Sequence, residues 1–165
     1  MSDKTHLKTK RLQLRRPTDE DASCLSLLWK DEDVRQFLGG TISDAMITER
    51  LATIQDHWEQ HGFGLCVVSE IETEQVIGLC GLHHSEDGVE ISFMFFPEWW
   101  GEGFATEAIT ACLDDGFHHL KLEKIISITQ AANIKSCRLL ERIGMQPIKT
   151  FLRYNATQCW YELKK

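Results

Sequence analysis

Between Glu90 and Ala108 the chain changes its hydrophobic period. Glu90-Ile-Ser-Phe-Met-Phe-Phe alternates as a strand does, Pro97-Glu-Trp-Trp-Gly-Glu-Gly103 breaks the pattern, and a helical stripe follows. A strand that runs through a glycine loop into a helix N-terminus confines the fold to those that mix strands and helices in one unit. Such a junction can also hold a pyrophosphate. The free N–H groups of a first helical turn and the positive end of the helix dipole attract anions. Gly101 and Gly103 let the backbone approach a phosphate with no Cβ in the way, and Ala105 keeps the approach narrow. Glycines ahead of a helix are also ordinary turns, so this spacing alone leaves both readings open.

The rest of the chain supplies the context. Residues 11–15 alternate like a half-buried strand that Pro17 ends. Thr18-x-x-Asp21 resembles a capping box, and Ala22, Leu25, Leu28 and Trp29 then share a helical face. A second helix is expected after Ser43, where Ile47, Leu51, Ile54 and Trp58 recur at helical spacing up to Gly62, a residue suited to a left-handed cap. Residues 63–68, 76–82 and 89–96 read as an antiparallel meander with turns such as Glu86-Asp87-Gly88. The stripe of Ile109, Cys112, Leu113, Gly116 and Phe117 predicts a helix over 106–117. A short buried strand at 124–129, a helix near 135–143 and two strands at 148–153 and 158–163 complete the order. This is an α/β pattern with a mixed sheet.

With 165 residues, 42% of them hydrophobic, the chain can close one sizeable core but not two ordinary ones, so residues 1–165 are expected to form a single domain. No apolar run approaches the ~18 residues of a membrane span, and residues 1–11 lack the apolar centre of a secretory signal; a cytoplasmic location and no membrane partner are expected. The six cysteines are scattered without a Cys-x-x-Cys pair, which suits buried thiols in a reducing compartment, and no metal is implied. His83-His84 and His118-His119 look metal-like only superficially. Neighbours on a strand point to opposite faces, and the second pair suits a helix C-terminus. The net charge of -7 disfavours nucleic acid and is mildly compatible with a cationic substrate.

Gly101-x-Gly103 after a strand, with Glu123 downstream, also invites a dinucleotide-binding reading. Against it, Thr106 replaces the third glycine, residues 97–100 separate strand from glycines, and the unit lies late in a short chain. The same blocks resemble the GCN5-related N-acetyltransferase superfamily, especially its ribosomal-protein N-terminal acetyltransferase branch. That resemblance rests on Glu90-Ile-Ser-Phe, Pro97-Glu-Trp-Trp-Gly101 and Gly103-Phe-Ala-Thr-Glu-Ala108, then on Asn133-Ile-Lys-Ser136 and Leu139-Leu-Glu-Arg-Ile-Gly144-Met. It implies a mixed, mostly antiparallel sheet of about seven strands flanked by about four helices. It also implies acetyl transfer from acetyl-CoA directly to a primary amine, on a peptide N-terminus or a small molecule. Trp100 stands where the superfamily's loop usually begins with Gln or Arg, as it often does in this branch, so contacts from the loop are expected mainly from backbone. Glu102, beside a pyrophosphate, is expected to point outward.

The resemblance further implies that the coenzyme's pantetheine arm pairs with backbone around Met94 and Phe95, where the fourth strand splays from its neighbour. Trp100, Gly101, Gly103, Phe104, Ala105 and Thr106 would form the pyrophosphate loop; Thr106 is equally placed as an ordinary helix N-cap. Glu90 shares a strand face with Ser92 and Met94 and is the candidate general base, or else a solvated strand carboxylate. A glutamate raised toward ~6–7 by burial favours α-amines of low pKa over lysine. The tyrosine acid of many superfamily members is replaced here by Leu140. Ser136, inward-facing with Leu139, Leu140 and Ile143, is the remaining donor to the leaving thiolate, or a serine bonded to its own helix. Asn133 could hold the cofactor or cap the following helix. Lys135, Arg138 and Arg142 are candidates for the ribose phosphate, though exposed helix cations usually only solvate a face. The acceptor, whether peptide, polyamine, amino acid or antibiotic, stays open, as do a homodimer and a noncatalytic acetyl-CoA sensor.

Overall fold

The computed structural model describes residues 5–165, with side chains from His6 onward. Its strands are β1 (Thr5–Lys8), β2 (Leu12–Arg15), β3 (Leu65–Glu70), β4 (Val76–Ser85), β5 (Gly88–Phe95), β6 (Lys124–Gln130), β7 (Gln146–Arg153) and β8 (Ala156–Lys164). They form one sheet in the order β1-β2-β3-β4-β5-β6-β8-β7, antiparallel throughout except between β5 and β6. The helices are α1 (Ala22–Trp29), α2 (Glu32–Arg35), α3 (Asp44–His61), α4 (Phe104–His118) and α5 (Ile134–Ile143). Among the described residues there are thus eight strands and five helices, where about seven and about four are expected from the sequence.

The two additions are both four residues long, too short for a periodicity to register. β1 is recruited by β2, with Leu7 opposite Leu14. α2 is set by its cap, the Asp31 carboxylate accepting the Val34 N–H at 3.0 Å. The longer elements follow their patterns. In α3, Ile47, Leu51, Ile54 and Trp58 are buried, the Ser43 hydroxyl accepts the Met46 N–H, and Gly62 ends the helix at φ +74°. The capping box at Thr18 forms, but it opens a single 3-10 turn, and Asp21 turns inward to Arg15 at 2.7 Å.

α4 lies across β4, with Cys80 and Cys112 sulfurs 4.0 Å apart at that contact. Gly116 lets the helix sit close: a Cβ there would stand 2.8 Å from Ile125 and Leu82 methyls. β4 and β5 keep eight registered pairs, from Ser85–Gly88 to Gly78–Phe95. β5 and β6, by contrast, share one registered pair, Glu90 with Ile126. Beyond it the two strands separate, and the sheet opens.

Candidate active site

A cleft of about 1420 Å³ occupies that opening and extends between α4, α5 and the α1–α3 side of the sheet. Met94 and Phe95 from β5, Trp100, Gly101 and Gly103 from the loop, Phe104, Ala105 and Thr106 from α4, and Asn133, Ser136 and Arg138 from α5 all line it. The sequence-proposed cofactor residues therefore converge on one space. Glu90 does not line it; it sits at the closed end, where β5 still pairs with β6.

The strand register divides the labour of β5. The Phe96 N–H donates to the Ile77 carbonyl at 2.9 Å, so by two-residue alternation Met94 turns its main-chain groups toward β4, while Phe93 and Phe95 turn theirs toward the gap. Met94 thus meets the cleft with its side chain, not with the backbone groups assigned to it from the sequence. The Trp100 indole N–H takes the Phe95 carbonyl at 2.8 Å, which fixes the indole over the strand end. Lys135 Nζ stands 5.3 Å from the centre of that ring.

The loop that follows is shaped for an anion. Gly101 and Gly103 lie at φ +81° and +83°, a region that only glycine enters without strain. Gly103, and not Thr106, is the N-cap of α4, and it has no side chain to cap with. The first turn-closing bond runs from the Glu107 N–H to the Gly103 carbonyl at 3.0 Å. The N–H groups of Phe104, Ala105 and Thr106 are left as outward donors at the positive end of a fifteen-residue helix. Glu102 is exposed, as expected, and its carbonyl accepts from Arg11 Nη1 at 3.1 Å.

Arg11 is a residue that sequence reasoning passed over. Its Nε meets Glu107 Oε1 at 2.8 Å, its backbone N–H meets Oε2 at 2.9 Å, and its guanidinium lies 4.1 Å above the Phe104 ring. Thr9 adds a hydroxyl bond to the same carboxylate at 2.6 Å. The β1–β2 turn thereby clamps the start of α4. No spacing rule joins residues 96 positions apart, so only the fold reveals it.

On α5, Asn133 is a cap: its Oδ1 accepts the Ser136 N–H at 3.3 Å. The Ser136 hydroxyl makes no hydrogen bond among the described residues, so the reading in which it bonds back to its own helix is not what forms. Neither tyrosine lines the cleft. Tyr161 is buried near Cys137, and Tyr154 stands in the β7–β8 turn.

The opposite wall carries titratable groups. His83, on β4, lines the cleft, and its Nε2 lies 2.7 Å from Ser92 Oγ. Its Nδ1 faces the His84 carbonyl at 3.4 Å. A carbonyl can only accept, so the proton sits on Nδ1 and Nε2 is free to accept from Ser92. Burial holds the His83 imidazole below its ordinary range, so it is neutral at pH 7. Glu90, cross-strand from His83, is pushed by burial up to about 7, with the Ile128 N–H drawing it partly back and Asp87 adding repulsion. His84 points away, to His57 and His61. Among the described residues no group of three or more His, Cys, Asp or Glu side chains is arranged to hold a metal ion.

A sheet opened between two parallel strands, leading to an uncapped helix N-terminus, can hold an extended arm that ends in a pyrophosphate. Residues 11–146 match the acetyltransferase (GNAT) domain family, and the chain belongs to that family of acetyl-CoA-dependent enzymes. It is 32% identical over 169 residues to the uncharacterized protein YkkB of Bacillus subtilis (strain 168), covering 99% of this chain and 98% of the relative. A GNAT-family acetyltransferase from Bacillus anthracis superposes with a TM-score of 0.82 at 25% identity, covering 96% of this chain and 97% of the other. The spermidine N-acetyltransferase of Vibrio cholerae, solved with CoA and spermine, shares the fold at a TM-score of 0.78 and 21% identity, over 94% and 96% of the two chains.

Proposed function

We propose that this chain, as one domain, moves the acetyl group of acetyl-CoA directly onto a primary amine, with His83 and Ser92 receiving the amine's proton. The reading rests on one observation: the gap beside Phe93 and Phe95 runs from the uncapped α4 N-terminus to a neutral imidazole that faces the cleft. The residues fit the coenzyme. The N–H groups of Phe104, Ala105 and Thr106 hold its pyrophosphate, the gap-facing groups of Phe95 and the Phe93 carbonyl pair with its pantetheine amides, and Lys135, Arg138 or Arg142 meets its ribose phosphate. When bound, the coenzyme supplies an activated acyl thioester.

The chain does the rest. The Phe93 N–H, aimed into the gap at its His83 end, stabilises the oxyanion that forms as the amine attacks, a contribution of about 3 kcal/mol in comparable sites. Ser92 passes the amine's proton to His83 Nε2, and Glu90, on the same strand face but outside the cleft lining, would take it onward only through water. Ser136 donates a hydrogen bond to the departing thiolate, which with a pKa near that of cysteine, about 8.5, needs little more. An α-amine is the easier acceptor: reaching its neutral form at pH 7 costs ~1 kcal/mol, against ~4–5 for lysine. The motif blocks at 97–101 and 103–108 support a place near the ribosomal-protein N-terminal branch. A thiol-release assay across amines and peptides tests the proposal. Acetyl-CoA that neither raises the melting temperature nor releases thiol with any amine would refute it.

A further inference from the structure

The acceptor wall of the cleft holds a cation with no counterion among the described residues. Arg35, at the end of α2, is 4% exposed yet lines the cleft. Its Nε donates to the Gly40 carbonyl at 2.8 Å and its Nη2 to the Leu38 carbonyl at 2.6 Å, which staple the 38–40 loop. Among the described residues its Nη1 reaches only the Met94 sulfur, at 4.0 Å. A thioether is a weak acceptor and carries no charge. Arg50, half-buried on α3, lines the same space, and its charge opposes that of Arg35. Neither guanidinium has an ion-pair partner within 4.0 Å among the described residues, although Asp33 and Glu49 also line the cleft and are exposed.

Burying a guanidinium beside a second one is costly unless an anion completes the site. The N–H groups that remain on the Nη1 and Nη2 end of Arg35 lie in one plane, and a planar guanidinium edge matches a carboxylate in particular. The location decides which reactant brings it. Met94 adjoins Phe95, whose N–H faces the gap, and the side chain of Met94 points to the α1–α3 side, away from the loop and α5 where the phosphates belong. We propose that the acceptor is a small amine that also carries a carboxylate, of the amino-acid class, with Arg35 and Arg50 binding that carboxylate. This rests on the acetyl-transfer reading for the site and specifies its substrate. It runs against the polyamine alternative, because a second ammonium would meet two guanidiniums.

The test compares each of several amino acids with its decarboxylated amine and its methyl ester, at equal free-amine concentration, by thiol release from acetyl-CoA. In parallel, the melting temperature of the CoA-saturated protein is followed with each compound. The expected result is at least a tenfold higher kcat/KM for the acid than for either partner, and a melting shift from the acid alone. In Arg50→Gln, and in Arg35→Lys should that variant fold, the acid-to-ester ratio and the melting shift both collapse toward unity and zero. Thiol release with no preference for the acid overturns the inference and leaves acetyl transfer standing. Arg50-dependent melting shifts without thiol release do the reverse. Faster use of succinyl-CoA than acetyl-CoA with a carboxylate-free amine would assign the two arginines to the donor and overturn the inference as well.

Discussion

Burial acts on Glu90 and His83 in opposite senses because it penalises whichever form is charged. The two are cross-strand partners. Glu90, raised to about 7, binds a proton more readily in the folded chain than in the unfolded one, whose carboxyl titrates near 4.5. Its contribution to stability is therefore complete below pH 4.5 and is lost as pH rises to 7, amounting to about 3 kcal/mol at most. Glu90→Gln should melt higher than the parent above pH 7, with the gain vanishing near pH 4.5 in a thermal series. For His83 the rate should rise with pH through an imidazole pKa held below 6.5. His83→Gln should lower kcat/KM by about 10²-fold and abolish that rising limb. Glu90 was legible in the sequence because strand alternation alone places it on a face. His83 was not, since its partner Ser92 is chosen by the β4–β5 register, which no local pattern states. Arg35 was hidden for the same kind of reason: a four-residue helix and a glycine loop aim it inward.

At the scale of elements, the start of α4 carries the proposed anion site, and the sequence announced it through Gly101, Gly103 and the helical stripe beyond. The clamp that steadies it was silent. Arg11 and Glu107 form charge-assisted bonds that join the β1–β2 turn to the first turn of α4. Arg11→Ala should leave kcat within about twofold while raising the KM for acetyl-CoA about tenfold, since it loosens a binding loop without touching the reacting atoms. Gly103→Ala places a Cβ at φ +83° and 3.4 Å from Arg11 Nη2. We expect a cost of about 1–2 kcal/mol in denaturant titrations, together with weaker coenzyme binding. Both variants probe the loop from different sides, and an unchanged KM in both would remove the loop from coenzyme binding.

Across the whole molecule, the order of strands and helices followed from hydrophobic period, because the long elements each bury one face. The exceptions, β1 and α2, owe their existence to a neighbouring strand and to one carboxylate cap. The β5–β6 parting was equally unreadable: parallel strands that diverge look, in sequence, like parallel strands that do not. Its consequence is mechanical. Among the described residues one ladder rung, with the Ser127 hydroxyl on the Ile91 carbonyl at 3.2 Å and the Ile128 N–H on Glu90, joins the five-strand leaf, β1 to β5, to the three-strand leaf of β6, β8 and β7. A ligand threaded down the seam laces the two leaves together. Amide hydrogen exchange at Phe93 and Phe95 should therefore slow sharply on adding CoA, while exchange in the middle of β4 barely changes. With the coenzyme in that seam, as proposed, the enzyme would borrow its missing rib from its own substrate and lose it each time CoA departs.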